Sequence, residues 1–190
     1  MDKSLPLPKK ERIMEIQRLT AVNQLYYEEM LQLYQDAFPV EERRPVEKLN
    51  ELVENKKSFV ANALVHDGQF AGLLNYWEFD SFIYLEHLAM LPQLRGQNLG
   101  GMLLETLKKD IHLPLVLEAE RPETEIAARR AAFYQRHGFH VVDKDYMQPP
   151  YRAGEDEFPL WLFSTDEHFS LENVRLIKQE VYGVFAHSRS

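Results

Sequence analysis

Between Tyr84 and Leu104 the chain reads Y-L-E-H-L-A-M-L-P-Q-L-R-G-Q-N-L-G-G-M-L-L. An apolar strand runs into a short basic turn with glycine, and then into an apolar helix. That order builds a pocket for phosphate. The first N–H groups of a helix have no internal acceptor, and its N-terminus carries roughly half a unit of positive charge. Gly96, Gly100 and Gly101 let the backbone approach an anion with no Cβ in the way, and Arg95 adds a permanent charge. Charge-assisted bonds of about 1.5–3 kcal/mol each can hold a pyrophosphate along Arg95, Gly96, Gln97, Asn98, Leu99, Gly100 and Gly101. Inside the preceding apolar run sits Glu86. A lone carboxylate there is costly unless it finds a partner or does a job. Partial burial would raise its pKa toward the range of a useful proton acceptor. The competing readings are a carboxylate paired with an arginine as scaffold, and His87 beside it as the base.

A second element lies downstream, where residues 133–139 read F-Y-Q-R-H-G-F and place Tyr134 in a helix that stops at Gly138. Together the two elements resemble the GNAT superfamily of acyl-CoA-dependent N-acetyltransferases, over roughly residues 58–164. The family's phosphate loop is Q/R-x-x-G-x-G/A, and Gln93, Gly96 and Asn98 fall on its three specified positions. Asn98 departs from the family's Gly or Ala, and Asn tolerates left-handed geometry better than most residues, so the loop can still form. The resemblance implies acetyl-CoA as co-substrate and direct transfer to an amine in a ternary complex, with Tyr134 protonating the departing thiolate. A tyrosine pKa near 10 lies above that of a thiol near 8.5, so the hydroxyl keeps its proton until sulfur becomes basic. It also implies that the backbone of Leu88, Ala89 and Met90 pairs with the pantetheine arm, and that an N–H near Leu88 serves the oxyanion. Glu86 is then the candidate base, with His87 or a chain of waters as the alternatives. Strict alternation puts Tyr84, Glu86, Leu88 and Met90 on one face, and a bulge, common in this strand of the family, would switch the faces partway. Where many members carry an Asn that contacts the cofactor, this chain has Ala127, with Arg129 and Arg130 nearby.

The substrate side is read from two segments. F-P-V-E-E-R-R-P (38–45) offers Glu41 and Glu42 to an ammonium, and the stiff aromatic stretch from Tyr146 to Tyr151 offers Gln148 and Tyr151 as a wall or cover. The formal charge of −8 disfavours nucleic acid and is compatible with a cationic small-molecule or peptide amine. No cysteine is present, which removes disulfides, thiolate metal sites and an acyl-cysteine intermediate. His137 and His140 are separated by the helix end at Gly138, so no metal is expected. No apolar run reaches the roughly 20 residues of a membrane span, and the first ten residues lack a signal-peptide core, so the expected location is cytoplasmic.

These groups need a frame. The pattern predicts a flexible lead-in over 1–10, an edge strand 12–19, and helices 21–37 and 45–54. Strands 58–66 and 69–79 follow, joined at Asp67-Gly68, a hairpin signal. Next come strand 82–90, helix 99–111, strand 115–120, helix 124–137, strands 139–146 and 158–164, and a C-terminal helix 170–182. The expected architecture is one mixed α/β domain over 1–190. The resemblance makes it a GNAT-like, mostly antiparallel sheet of about seven strands, splayed between the fourth and fifth. The C-terminal extension 165–190, with Val181, Tyr182, Val184 and Phe185, packs on its own sheet or builds a homodimer. A catalytically silent acyl-CoA-binding module with the same fold is the rival from another class. A nucleotide hydrolase is disfavoured because the loop lacks the G-x-x-x-x-G-K-[ST] lysine and hydroxyl. The acceptor amine and the acyl-chain length of the donor stay open.

Overall fold

The computed structural model describes residues 14–184. The expected lead-in and Phe185 lie outside the described residues. Among the described residues, eight strands form one sheet: β1 (Met14–Leu19), β2 (Phe59–His66), β3 (Gln69–Glu78), β4 (Ile83–Met90), β5 (Leu115–Glu120), β6 (His140–Asp143), β7 (Met147–Gln148) and β8 (Phe158–Ser164). Five helices among these residues flank it: α1 (Tyr27–Ala37), α2 (Val46–Asn55), α3 (Leu99–Asp110), α4 (Glu125–Arg136) and α5 (Leu171–Tyr182). The strand order is β1-β2-β3-β4-β5-β8-β6, with β7 paired to β8. Only β4 and β5 run parallel; every other pairing is antiparallel. The mixed α/β expectation holds, with one strand more than counted from sequence. Two residues, Met147 and Gln148, pair with Pro159 and Phe158 inside what reads as a loop.

Local chemistry explains the frame. Asp67 and Gly68 both take positive φ (51° and 76°), the geometry of a two-residue turn that matches strand twist. β2 is buried at every residue, because helices cover one face and the second core covers the other. One core, under α1, α2 and α5, holds Met30, Tyr34, Leu49, Trp77, Tyr84 and Ile177. The other, under α3 and α4, holds Leu85, Leu103, Leu104, Leu117, Phe139 and Phe163. α1 begins six residues later than the sequence periodicity suggests, since Tyr26 is left-handed (φ 69°) and holds residues 21–26 in turns. Thr124 caps α4 through the Ala127 N–H, and Ser170 caps α5 through that of Asn173. Gly183 ends α5 in the left-handed region, returning its N–H to the Gln179 carbonyl.

Two irregularities position the site. β4 and β5 pair only at Ile83–Leu115, Tyr84–Val116 and Leu85–Leu117, and beyond Leu85 the two strands part. Across the other edge of β4, Asn75 faces His87 and Tyr76 faces Leu85, so Glu86 is the extra residue of a β-bulge. The bulge does what the sequence reading allowed. Ile83, Leu85, Leu88 and Met90 belong to the α3–α4 core, whereas Tyr84, Glu86, His87 and Ala89 turn to the α1–α2 side.

Candidate active site

The loop expected to hold phosphate is a short 3-10 turn, Pro92–Leu94, followed by an extended Arg95 and two left-handed residues, Gly96 (φ 79°) and Asn98 (φ 60°). Asn98 makes no side-chain cap to α3, and the first α3 bond runs from the Met102 N–H to the Asn98 carbonyl. The N–H groups from Gly96 to Gly101 therefore have no acceptor among the described residues, and Gln93, Arg95, Gly96, Gln97 and Asn98 are exposed. Gly101 has a different reason to be glycine. A Cβ there would stand 2.4 Å from Asn98 Oδ1 and 2.9 Å from the His137 ring. It lets α3 pass against the end of α4, with Lys108 Nζ fixed on the His137 carbonyl at 2.9 Å.

Tyr134 sits on α4 against Phe133, Phe139 and Phe163, with ring centroids 5.4–5.8 Å away. Burial raises its pKa above the ordinary value, with Arg130 opposing. Among the described residues its hydroxyl has no hydrogen-bond partner, and the side chain is half-buried. Ala127 is buried on the same helix and supplies the N–H that Thr124 accepts. Arg129 pairs with Glu125, and Arg130 reaches Glu120 at 2.7 Å, so both arginines serve α4 and the end of β5.

Glu86 is completely enclosed as a side chain and carries three donors. Arg44 pairs with Oε1, Tyr151 Oη donates to the same oxygen at 2.8 Å, and Trp77 Nε1 donates to Oε2 at 2.8 Å. The guanidinium of Arg44 is itself held between the rings of Tyr151 (4.7 Å) and Trp77 (5.5 Å) and donates to the Val181 carbonyl at 2.7 Å. Burial alone would raise the Glu86 pKa. The charges of Arg44 and His87 and the bonds from Arg44 and Trp77 outweigh it, and the net direction is down. That is opposite to the rise expected from sequence, and it follows the rule that an adjacent arginine favours the ionised form. His87 is driven toward its neutral form by burial, against the pull of Glu86. Its Nε2 faces the Glu42 carbonyl at 3.0 Å, which can only accept, so Nε2 carries the proton, and Nδ1, 3.8 Å from Glu86 Oε2, is buried without a hydrogen bond.

The substrate-side residues divide. Tyr151 and Gln148 come to the centre, Tyr151 on Glu86 and Gln148 on the hydroxyl of Tyr182 at 2.8 Å. Glu42 lies at the mouth, its pKa raised by burial and then by the charge of Glu120, with Arg130 opposing. Glu41 is exposed on the 3-10 turn Val40–Glu42, away from this group. Behind the centre opens a cleft of about 710 Å³ whose inner wall is Arg44, Tyr151, Val181 and Tyr182.

Residues 54–141 match the model of the acetyltransferase (GNAT) domain. A solved GNAT-family acetyltransferase from Bacteroides thetaiotaomicron superposes with a TM-score of 0.85 and is 39% identical, covering 90% of this chain and 99% of that one. The chain belongs to the GNAT acetyltransferase family. A Bacillus subtilis (strain 168) protein assigned as an acetyltransferase is 33% identical over 104 residues, which is 54% of this chain and about half (52%) of that protein. A GNAT-family acetyltransferase from Elizabethkingia anophelis, solved with acetyl-CoA bound, shares the fold at a TM-score of 0.54 and 18% identity, over 80% of this chain and 96% of that one.

The strand pairing brings out a carboxylate that the sequence analysis did not single out. Glu118 is the first β5 residue beyond the β4–β5 pairing, as Glu86 is on β4. Tyr146 Oη donates to its Oε1, and Tyr182 Oη donates to its Oε2 at 3.0 Å. Tyr182 in turn accepts from Gln148 and lies 2.9 Å from the Tyr84 hydroxyl. A signal existed, because L-V-L-E-A-E buries a carboxylate in an apolar strand just as the Glu86 segment does. Arg44 had none: its neighbours in E-E-R-R-P are charged, and its partner is 42 residues away.

Proposed function

We propose that the protein transfers an acetyl group from acetyl-CoA to a primary amine of a small molecule or peptide, directly and within one ternary complex. The observation that carries this reading is the joint geometry of loop and splay. Unpaired N–H groups at the head of α3 suit a pyrophosphate, and beyond Leu85 the edge of β4 facing β5 has no strand neighbour. In this reading Arg95 and the N–H groups from Gly96 to Gly101 hold the phosphates. The backbone from Leu88 through Ala89 to Met90 pairs with the pantetheine arm, and an N–H near Leu88 receives the carbonyl oxygen as it becomes an oxyanion. Tyr134, kept protonated by its raised pKa, donates to the leaving sulfur. Glu86 stays ionised beside Arg44 as a fixed negative charge near the amine. Glu42 and Glu120, which feel each other's charge, favour an ammonium at the mouth, and Tyr151 and Gln148 wall the acceptor side. No metal is assigned a part, and no group of three or more metal-ligating side chains occurs among the described residues. We place the reaction in the cytoplasm as a single domain; no helix among the described residues is long and apolar enough to cross a membrane.

One observation favours the silent acyl-CoA-binding module, namely the neutralisation of Glu86 by Arg44. Titration calorimetry with acetyl-CoA, coenzyme A and ATP, followed by thiol release with an amine panel, separates the two. Micromolar binding of both coenzyme A species with amine-dependent thiol release supports the transferase. Binding without release selects the module, and no binding removes both.

A further inference from the structure

On the reading that this site acetylates amines, we propose that Glu118 accepts the proton of the incoming ammonium, held for that task by Tyr146, Tyr182 and Tyr84. Glu86 and Glu118 occupy the first unpaired positions on either side of the splay, facing the same α1–α2 side. Their environments are opposite. Glu86 has a guanidinium, an indole N–H and a phenol on its two oxygens. Among the described residues no cation is bonded to Glu118; its donors are neutral hydroxyls, from Tyr146 of the β6–β7 connection and Tyr182 of α5. Two carboxyls with one fixed charged and the other poised divide the labour of a proton transfer. Geometry and electrostatics agree here. Burial pushes Glu118 up to about 7, hydrogen bonds from Tyr146, Tyr182 and Tyr84 pull the other way, and the charge of Glu86 adds to the rise. Tyr151, from the loop before β8, feels the charge of Glu118, and Lys178 of α5 stands over the Tyr146 ring with its ammonium 5.0 Å from the ring centre.

The step balances. The ammonium gives one proton to Glu118, and the freed nitrogen lone pair attacks the acetyl carbonyl carbon. The carbon–sulfur bond breaks as Tyr134 protonates the sulfur. The second proton lost from nitrogen restores Tyr134, and the proton on Glu118 returns to solvent. One amide, one thiol and one proton result. Glu118 is therefore a catalytic residue, and the three tyrosines are positioning residues.

The test is a comparison of the wild type, Glu118→Gln and Glu86→Gln. Carbon-13 NMR of glutamate-labelled protein saturated with coenzyme A should show one carboxyl titrating near neutrality that vanishes in Glu118→Gln. A Glu118 carboxyl titrating at an ordinary acidic pH overturns the proposal. Thiol release from acetyl-CoA with 1,4-diaminobutane, phenethylamine and an alanyl peptide amide is followed from pH 5 to 9. Glu118→Gln should lower kcat about 10²–10⁴-fold and erase the acidic limb of kcat/KM, with the acetyl-CoA Kd kept within about twofold. An acidic limb that persists in Glu118→Gln, or one that disappears in Glu86→Gln instead, overturns it. A wild type that does not bind acetyl-CoA is a separate failure, that of the transferase reading itself.

Discussion

Glu118 should leave a mark on stability as well as on rate, and the mark has a definite sign. Its carboxyl moves from an ordinary 4.5 up to about 7 in the folded protein. A carboxyl raised on folding prefers to stay protonated there. Its contribution is whole below about pH 4.5 and is lost as pH rises through about 7, because the unfolded chain ionises first. At about 1.4 kcal/mol for each tenfold change in acidity, the loss amounts to about 3 kcal/mol. Glu118→Gln keeps the shape and an acceptor for the tyrosine hydroxyls but cannot ionise. Urea unfolding followed by the fluorescence of Trp77 and Trp161, at steps from pH 4.5 to 8.5, measures both proteins under the same conditions. The wild type should lose about 3 kcal/mol relative to the variant across that span, most of it before pH 7. The slopes against urea should match, so that the comparison reports stability and not compactness. Parallel stability curves for the two proteins would show that Glu118 ionises normally when folded, and the reasoning from burial would be wrong.

Four further outcomes follow from the same geometry. Tyr134→Phe should lower kcat by about 10²–10⁴-fold while leaving the acetyl-CoA Kd nearly unchanged; full turnover at neutral pH would remove the general-acid role. Arg44→Met should destabilise by about 3–5 kcal/mol, because it leaves Glu86 enclosed and charged without its cation, and Glu86→Gln in the same chain should recover part of that in thermal unfolding. In the wild type, Glu86 contributes stability above the ordinary carboxylate pKa, lost as pH falls through its lower folded value, so Glu86→Gln should unfold less steeply with acid below about pH 4. Gly96→Ala meets no atom within 4 Å but must hold φ 79°, at about 1–2 kcal/mol, whereas Gly101→Ala meets Asn98 and His137 and should unfold at lower temperature still; both should weaken acetyl-CoA binding in calorimetry.

The frame was legible because its signals are local. Asp67-Gly68 fixes a turn by backbone chemistry alone, and the apolar runs of β2 and β4 are what burial on two faces requires. The start of α1 was not legible, since Tyr26 adopts a left-handed conformation that no periodicity announces. The site divides along the same line. The loop at Gly96 and Asn98 is written in consecutive residues. The state of Glu86 is decided by Arg44, Trp77 and Tyr151, which arrive from three other segments. A carboxylate in an apolar strand signals that something is compensating it, but its pKa moves up or down according to what that something is. The same sentence of sequence logic therefore applies to Glu86 and Glu118 and gives opposite chemistry. Arg44 makes one a fixed charge, and three phenols with no bonded cation among the described residues make the other a poised base. The bulge supplies the last piece. One extra residue in β4 places Glu86 and His87 on the α1–α2 side while Leu88 and Met90 return to the opposite core. In the proposed reaction the strand thus offers charge to an amine on one face and bare backbone to a thioester arm along its edge.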